Sequence, residues 1–269
     1  MILKRIKYRF AKFLFQQALS KEGKHFTQWF NVYSKVASRF KQQIYYEDGY
    51  YYLKNENWRF FHRKQGLMAY PQGLKNRANS LKESYNLVDF EYAPGDVIID
   101  CGANNGDFYL TLPHNIEYHG LEPSPKVFSN LEHNIQGQHL YNKALWNEKT
   151  SLTFFLSDDF GDSSIIEPNK FEQSIEVETL TLDQLIETIN KRIKLIKIEA
   201  EGAEPEVLQG LDKKIDCVEY ITIDVGFERG KNSESTFVPC INYLMNKNFE
   251  LIDFDLNRLS LLFKNRNTN

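Results

Sequence analysis

VIIDCGANNGDFYL, residues 97–110, runs from an apolar stretch into an acid, a cysteine and two glycines. Val97, Ile98 and Ile99 read as a buried strand, and Asp100, Gly102 and Gly106 stand at its exit. Two readings compete for the glycines. One is a turn that needs glycine backbone; the other is a loop that lets a ligand touch the main chain. Glu122 closes a second apolar run, IEYHGLE (116–122), twenty residues after Gly102, a spacing that suits an acid accepting from a ribose diol.

The pattern is G-x-x-x-G rather than G-x-G-x-x-G, and Asp100 and Asp107 would repel a pyrophosphate. A cationic ligand carrying a ribose fits better, which points to the sulfonium and ammonium of S-adenosylmethionine. A nicotinamide-dependent oxidoreductase fits less well, because the third glycine is missing. Cys101 beside these glycines reads as a small buried thiol, since no partner histidine is indicated for a nucleophile.

Outward from this stretch the chain alternates between strands and helices. After VIIDC and IEYHGLE, Pro125–Ile135 reads as a helix, HLYNKAL (139–145) as a strand, and SLTFFL and IEVETL as extended segments. Thr181 and Gln184 form a T-x-x-Q capping box that opens a helix through Asn190. IKLIKIEA (193–200) is a continuous buried strand with a helix after Pro205, and CVEYITIDV (217–225) follows. A helix over 236–247 and the strands NFELIDF and LSLLF close the chain. Such alternation predicts a parallel sheet covered by helices on both faces, with ligands beyond the carboxyl ends of its strands.

Upstream, Ile2, Leu3, Ile6, Phe10, Phe13, Leu14 and Ala18 recur at helical spacing between Lys4, Arg5, Lys7, Arg9 and Lys12. This basic amphipathic helix either docks on its own domain or a second subunit, or lies on an anionic membrane surface. IYYEDGYYYLKN (44–55) is a hairpin around Asp48-Gly49. Residues 1–41 hold ten Lys/Arg against Glu22 alone, while the rest holds 23 basic and 35 acidic residues. That acidic body argues against a nucleic-acid partner. Three scattered cysteines exclude a disulfide framework and fit a cytoplasmic protein, peripheral at a membrane if the helix binds lipid.

GDVIIDCGANNGDF, LEPSPKVFSNLEHNI and KIEAEGAEPEVLQG together resemble the FkbM family of S-adenosylmethionine-dependent methyltransferases, over roughly residues 70–255. Gly73 to Arg77 with Leu81 and Tyr85 resembles the family's lead-in to the first strand. KIEAEGAE carries Glu199 where relatives usually have aspartate, and TLPHN is shorter than the usual helix. The resemblance implies a Rossmann-like seven-stranded α/β methyltransferase sheet in residues 70–269, preceded by a helical and hairpin extension in 1–69. It implies O-methylation of a hydroxyl on a saccharide or related small molecule, a glycan acceptor being included.

Carried over by position, the resemblance implies that Gly102, Ala103, Asn104, Asn105 and Gly106 cradle the methionine part. Asp100 would sit near its ammonium, Glu122 with Pro123 and Ser124 at the ribose, and Asn142 and Ala144 at the adenine. Glu199, Glu201 and Asp224 would lie at the methyl-transfer end, as base candidates or as ligands of a divalent cation. Arg229 is a candidate contact for an anionic acceptor, GDSSI (161–165) a candidate substrate loop, and Glu204 an acid suited to a helix start. A second function reading is a catalytically silent binding or scaffold protein on the same fold, prompted by Glu199.

Overall fold

The computed structural model describes residues 2–37, 42–54, 58–60, 69–157 and 163–268. They form two compact units, Met1–Ala78 and Asn79–Asn269.

In the first unit, α1 (Ile2–Leu19) packs on α2 (Gly23–Ala37), with Ala11, Leu14 and Ala18 buried on one helix and Phe26 and Phe30 on the other. A three-stranded antiparallel sheet follows, made of β1 (Ile44–Glu47), β2 (Tyr50–Leu53) and β3 (Trp58–Phe60). Asp48 and Gly49 both take positive φ, 49° and 88°, which closes the two-residue hairpin that their sequence predicts.

After α3 (Leu74–Ser84), the second unit is built on a seven-stranded sheet. Its strands are β4 (Val97–Cys101), β5 (Glu117–Leu121), β6 (His139–Tyr141), β10 (Ile193–Ile198), β11 (Val218–Asp224), β12 (Phe249–Asp255) and β13 (Ser260–Asn265), once β7 (Ala144–Leu145), β8 (Ser151–Leu156) and β9 (Gln173–Leu180) are set apart in a small sheet of order β7-β9-β8. The large sheet runs β12-β13-β11-β10-β4-β5-β6. From β6 to β11 the pairing is parallel, as expected; β13 then inserts antiparallel between β11 and β12. The order reverses beside β4, so the switch point at which a ligand is predicted lies at the ends of β4, β5 and β10.

Alternation along the strands feeds two cores. Val97, Ile99, Cys101, Ile196 and Ile198 point to one face, with residues of α5 (Leu182–Ile189), α6 (Glu204–Gln209) and α7 (Phe237–Asn246). Ile98, Tyr118 and Leu195 point to the other, with Tyr85, Phe108 and residues of α4 (Pro125–Asn134). Where relatives were expected to carry a longer helix after the glycine loop, a five-residue 3-10 turn, Asp107–Thr111, connects β4 to the next strand. Both bonds of the Thr181–Gln184 capping box form, at 3.1 Å each.

One expected strand divides. Residues 139–145 do not run on as one element: β6 stays in the large sheet and β7 pairs with β9. At the break, Asn142 Nδ2 donates to the carbonyls of Glu122 (2.8 Å) and Pro123 (3.0 Å) on the loop after β5.

Candidate active site

The glycine loop is pinned from several sides. Gly102 and Ala103 donate their N–H groups to the Leu121 carbonyl at the end of β5 (3.1 and 2.9 Å). From α4, Asn130 donates to the Asn105 side chain and Asn134 to its carbonyl, both at 2.8 Å. The question raised by the glycines is answered by these neighbours. At Gly102, φ is +74° and a Cβ would press on the Glu199 carbonyl oxygen of the adjoining strand end. At Gly106, φ is +93° and a Cβ would lie 2.5 Å from Ile135 Cδ1. Both glycines are required by close packing beneath the loop.

Glu122 lies across this loop from below. Its Oε2 accepts from Asn104 N (3.1 Å) and its Oε1 from Ser124 N (2.8 Å), so one carboxylate joins the loops after β4 and β5. Burial pushes its pKa up to about 7, against the pull of those two N–H donors. Each oxygen keeps a lone pair, which fits a diol donating from the crevice.

Behind the loop runs a chain of charges. Lys197 sits on β10 and is 2% exposed. Its Nζ donates to the carbonyls of Cys101 (3.1 Å) and Gly102 (2.8 Å) and lies 3.0 Å from both Asp100 Oδ1 and Glu199 Oε2. The Asp100 contact is a charge pair without hydrogen-bond alignment. Burial would lower the Lys197 pKa, but the Asp100 and Glu199 carboxylates more than offset it and hold the ammonium charged. Asp100 Oδ2 accepts from Tyr118 Oη at 2.6 Å. Burial raises the Asp100 pKa, with Lys197 and Tyr118 opposing.

Glu199 continues the chain. Its Oε2 accepts from Tyr85 Oη at 2.5 Å, and its Oε1 pairs with Arg258 Nη2. Arg258 comes from the turn between β12 and β13, and its Nε donates to Asp224 Oδ2 at 2.8 Å. Burial alone would raise the Glu199 pKa, yet Lys197 and Arg258 hold it down at about 2. A carboxylate so held is a weak proton acceptor. Asp224 is raised by burial and by Glu199, with Arg258 opposing.

These positions revise several expectations. Asp100 has no exposed surface and lies under the loop, paired with Lys197, so its side chain does not reach a ligand's ammonium directly. Ala144 is buried with Phe154 and Val177 in the small sheet's core, away from an adenine contact by its side chain. Glu201 takes φ 51°, and its carbonyl accepts from Ser164 Oγ (2.7 Å). Glu199 and Asp224 do come together, but the Arg258 guanidinium occupies the place between them, so this acid set does not fit a divalent cation. Among the described residues, the group close enough to ligate a metal is Glu117, His119 and His139, upstream of the strand ends, where Lys191 already holds Glu117 at 2.6 Å.

Other candidates are accounted for locally. Glu204 accepts from the N–H groups of Ala200 (2.9 Å) and Gly202 (3.1 Å), shaping the loop before its helix. Arg229 is bidentate to Glu206 at 2.8 and 2.7 Å, which commits it away from an anionic acceptor. Of GDSSI, Gly161 and Asp162 lie outside the described residues; Ser164 is buried. Burial pushes the Cys101 thiol up to about 12, as an inert buried cysteine requires.

Sequence reasoning missed Lys197, Arg258, Tyr118 and Glu228. A lysine inside the apolar run IKLIKI was the available signal, since a strand buried on both faces tolerates a cation only when it is paired. Glu228 follows β11 with its residue exposed, and a Cβ at Gly226 would lie 3.2 Å from both Glu228 Oε1 and Asp224 Oδ1. Desolvation, then the carboxylates of Asp224, Glu204 and Glu199, push its pKa up to about 8.

The Methyltransferase FkbM domain model matches residues 100–251, more than half of the chain. The chain belongs to the FkbM methyltransferase family. It is an S-adenosylmethionine-dependent methyltransferase. Among curated proteins, it is 26% identical to the 2-O-methyltransferase NoeI of Sinorhizobium fredii, over 55% of this chain and 70% of that one. It is 28% identical to Methyltransferase 1 of Beauveria bassiana, over 56% and 72%. It is 25% identical to the hexuronic acid methyltransferase AglP of Haloferax volcanii, over 48% and 56%.

Proposed function

We propose that this methyltransferase O-methylates a hydroxyl of a saccharide, with S-adenosylmethionine held over the ends of β4 and β5 and the acceptor over β10 and β11. The observation that carries the site assignment is Glu122: a buried carboxylate that joins two loops at the sheet's switch point and keeps acceptor capacity on each oxygen. A ribose diol supplies the donors that such a group lacks. The saccharide rests on one relative, named for a hexuronic acid, and transfer to oxygen on another, named a 2-O-methyltransferase.

The bound cofactor supplies an electrophilic methyl group on a sulfonium. This chain's residues must hold it, aim a hydroxyl at it and receive the proton. In this reading Gly102–Gly106 line the methionine part, Glu122, Pro123 and Ser124 the ribose, and Asn142 braces the loop beside the adenine. Lys197, Glu199, Arg258 and Asp224 form a charged floor that fixes the strand ends, and Asp100 supports it from below. Glu199 and Asp224 are positioning residues here, and Glu201, at positive φ, shapes the turn after β10. Glu228 receives the proton: it lies in the loop after β11 beside Asp224, and a carboxyl near 8 gains a proton readily once ionised. The catalytically silent alternative rested on Glu199 in place of aspartate; its pairing with both cations makes the longer side chain a working part of the floor.

The test supplies the full chain with S-adenosylmethionine and a panel of mono- and oligosaccharides, including uronic acids, and reads products by mass. Gain of one methyl group on a sugar oxygen is expected, with turnover unaffected by a chelator. Methylation confined to non-sugar hydroxyls overturns the acceptor class, and absence of cofactor binding by calorimetry overturns the site.

A further inference from the structure

Helix α1 has two apolar rows, and α2 covers one of them. Ala11, Leu14 and Ala18 are buried against α2. Ile6, Phe10 and Phe13, spaced four and three apart, form the second row about a third of a turn round the helix. They remain 58%, 51% and 50% exposed. On the far flank of this row stand Arg5, Arg9 and Lys12, all exposed. The helix carries no acidic residue.

We infer that this face of α1 lies in the headgroup layer of an anionic phospholipid surface, with Ile6, Phe10 and Phe13 inserted and Arg5, Arg9 and Lys12 on the lipid phosphates. A second copy of the chain is the weaker match. Two such faces brought together by a two-fold axis set one cationic row against another, with no acid on the helix to neutralise it. An anionic bilayer satisfies both halves of the face at once: apolar depth for the aromatic row and negative charge for its flank. A nucleic acid would meet the charge and leave three large apolar side chains against phosphate.

The experiment is co-sedimentation of the full chain with vesicles of phosphatidylcholine alone and of phosphatidylcholine with phosphatidylserine. Binding is expected to the mixed vesicles and to weaken as salt is raised. F10S/F13S and, separately, R5E/R9E/K12E should each lower the bound fraction at least about tenfold, with helicity by circular dichroism unchanged. These side chains are exposed, so their replacement leaves the α1–α2 contact in place. Failure of the wild-type chain to bind the mixed vesicles overturns the inference without recourse to any variant. So does salt-insensitive binding, or a dimer seen by light scattering that F10S/F13S dissociates in the absence of lipid binding.

Discussion

Glu199 follows β10 and Glu228 lies in the loop after neighbouring β11, and their surroundings push them in opposite directions. Glu199 is offset by Lys197 and Arg258 and stays ionised down to about 2, whereas Glu228 faces other carboxylates and rises to about 8. E228Q is therefore expected to lower kcat by ~10²-fold with cofactor affinity near normal, and wild-type kcat should climb with pH to a plateau above about 8. A flat profile together with an active E228Q variant would assign the proton elsewhere. E199Q should act on stability instead. Because the folded pKa is depressed, Glu199's contribution is present above about 4.5 and is lost as pH falls towards 2. E199Q removes it throughout, which a denaturant titration at pH 7 and pH 3 would read as a difference that shrinks in acid. Glu122 has the reverse shift. Its folded pKa is raised to about 7 and a bound diol favours the ionised form, so cofactor affinity should increase from pH 6 towards pH 8. In calorimetry that pH dependence should vanish in E122Q, together with at least about 1.5 kcal/mol of binding.

The glycine loop shows how far one element depends on another. The turn residues, the strand before it and the helix after Ser124 were readable from local pattern, and the observed elements agree closely with those expectations. What the glycines avoid was not readable. Gly102 faces the carbonyl of Glu199, a residue 97 positions later in the chain, because β4 and β10 are parallel neighbours. G102A should therefore cost stability, by more than about 3 kcal/mol, through strand separation and a positive φ together. Thermal melting and calorimetry measured on the same sample separate the cases. A variant that keeps the wild-type melting temperature but loses cofactor binding would show that the side chain intrudes on ligand space instead. The split of residues 139–145 has the same character, since Asn142 finds its carbonyl partners on the loop after β5 and not within its own strand.

At the scale of the whole molecule, every residue assigned to the crevice lies in the unit Asn79–Asn269, while α1 belongs to Met1–Ala78. Removal of residues 2–19 is expected to leave cofactor affinity within about twofold, by calorimetry, and a loss beyond tenfold would tie the extension to the site. The sequence by itself determined the elements and their chemistry: apolar runs of strand length, a capping box, a hairpin dipeptide, and an acid at the right distance beyond a glycine loop. These are local properties, set by side-chain period and backbone preference within a few residues. Tertiary structure alone decided which charges meet. Arg258 reaches Glu199 and Asp224 because an antiparallel strand inserts beside β11, and Lys197 reaches Asp100 because β10 pairs with β4. No period along the chain encodes a strand order, and a buried ion pair exists only once that order has excluded water from both partners.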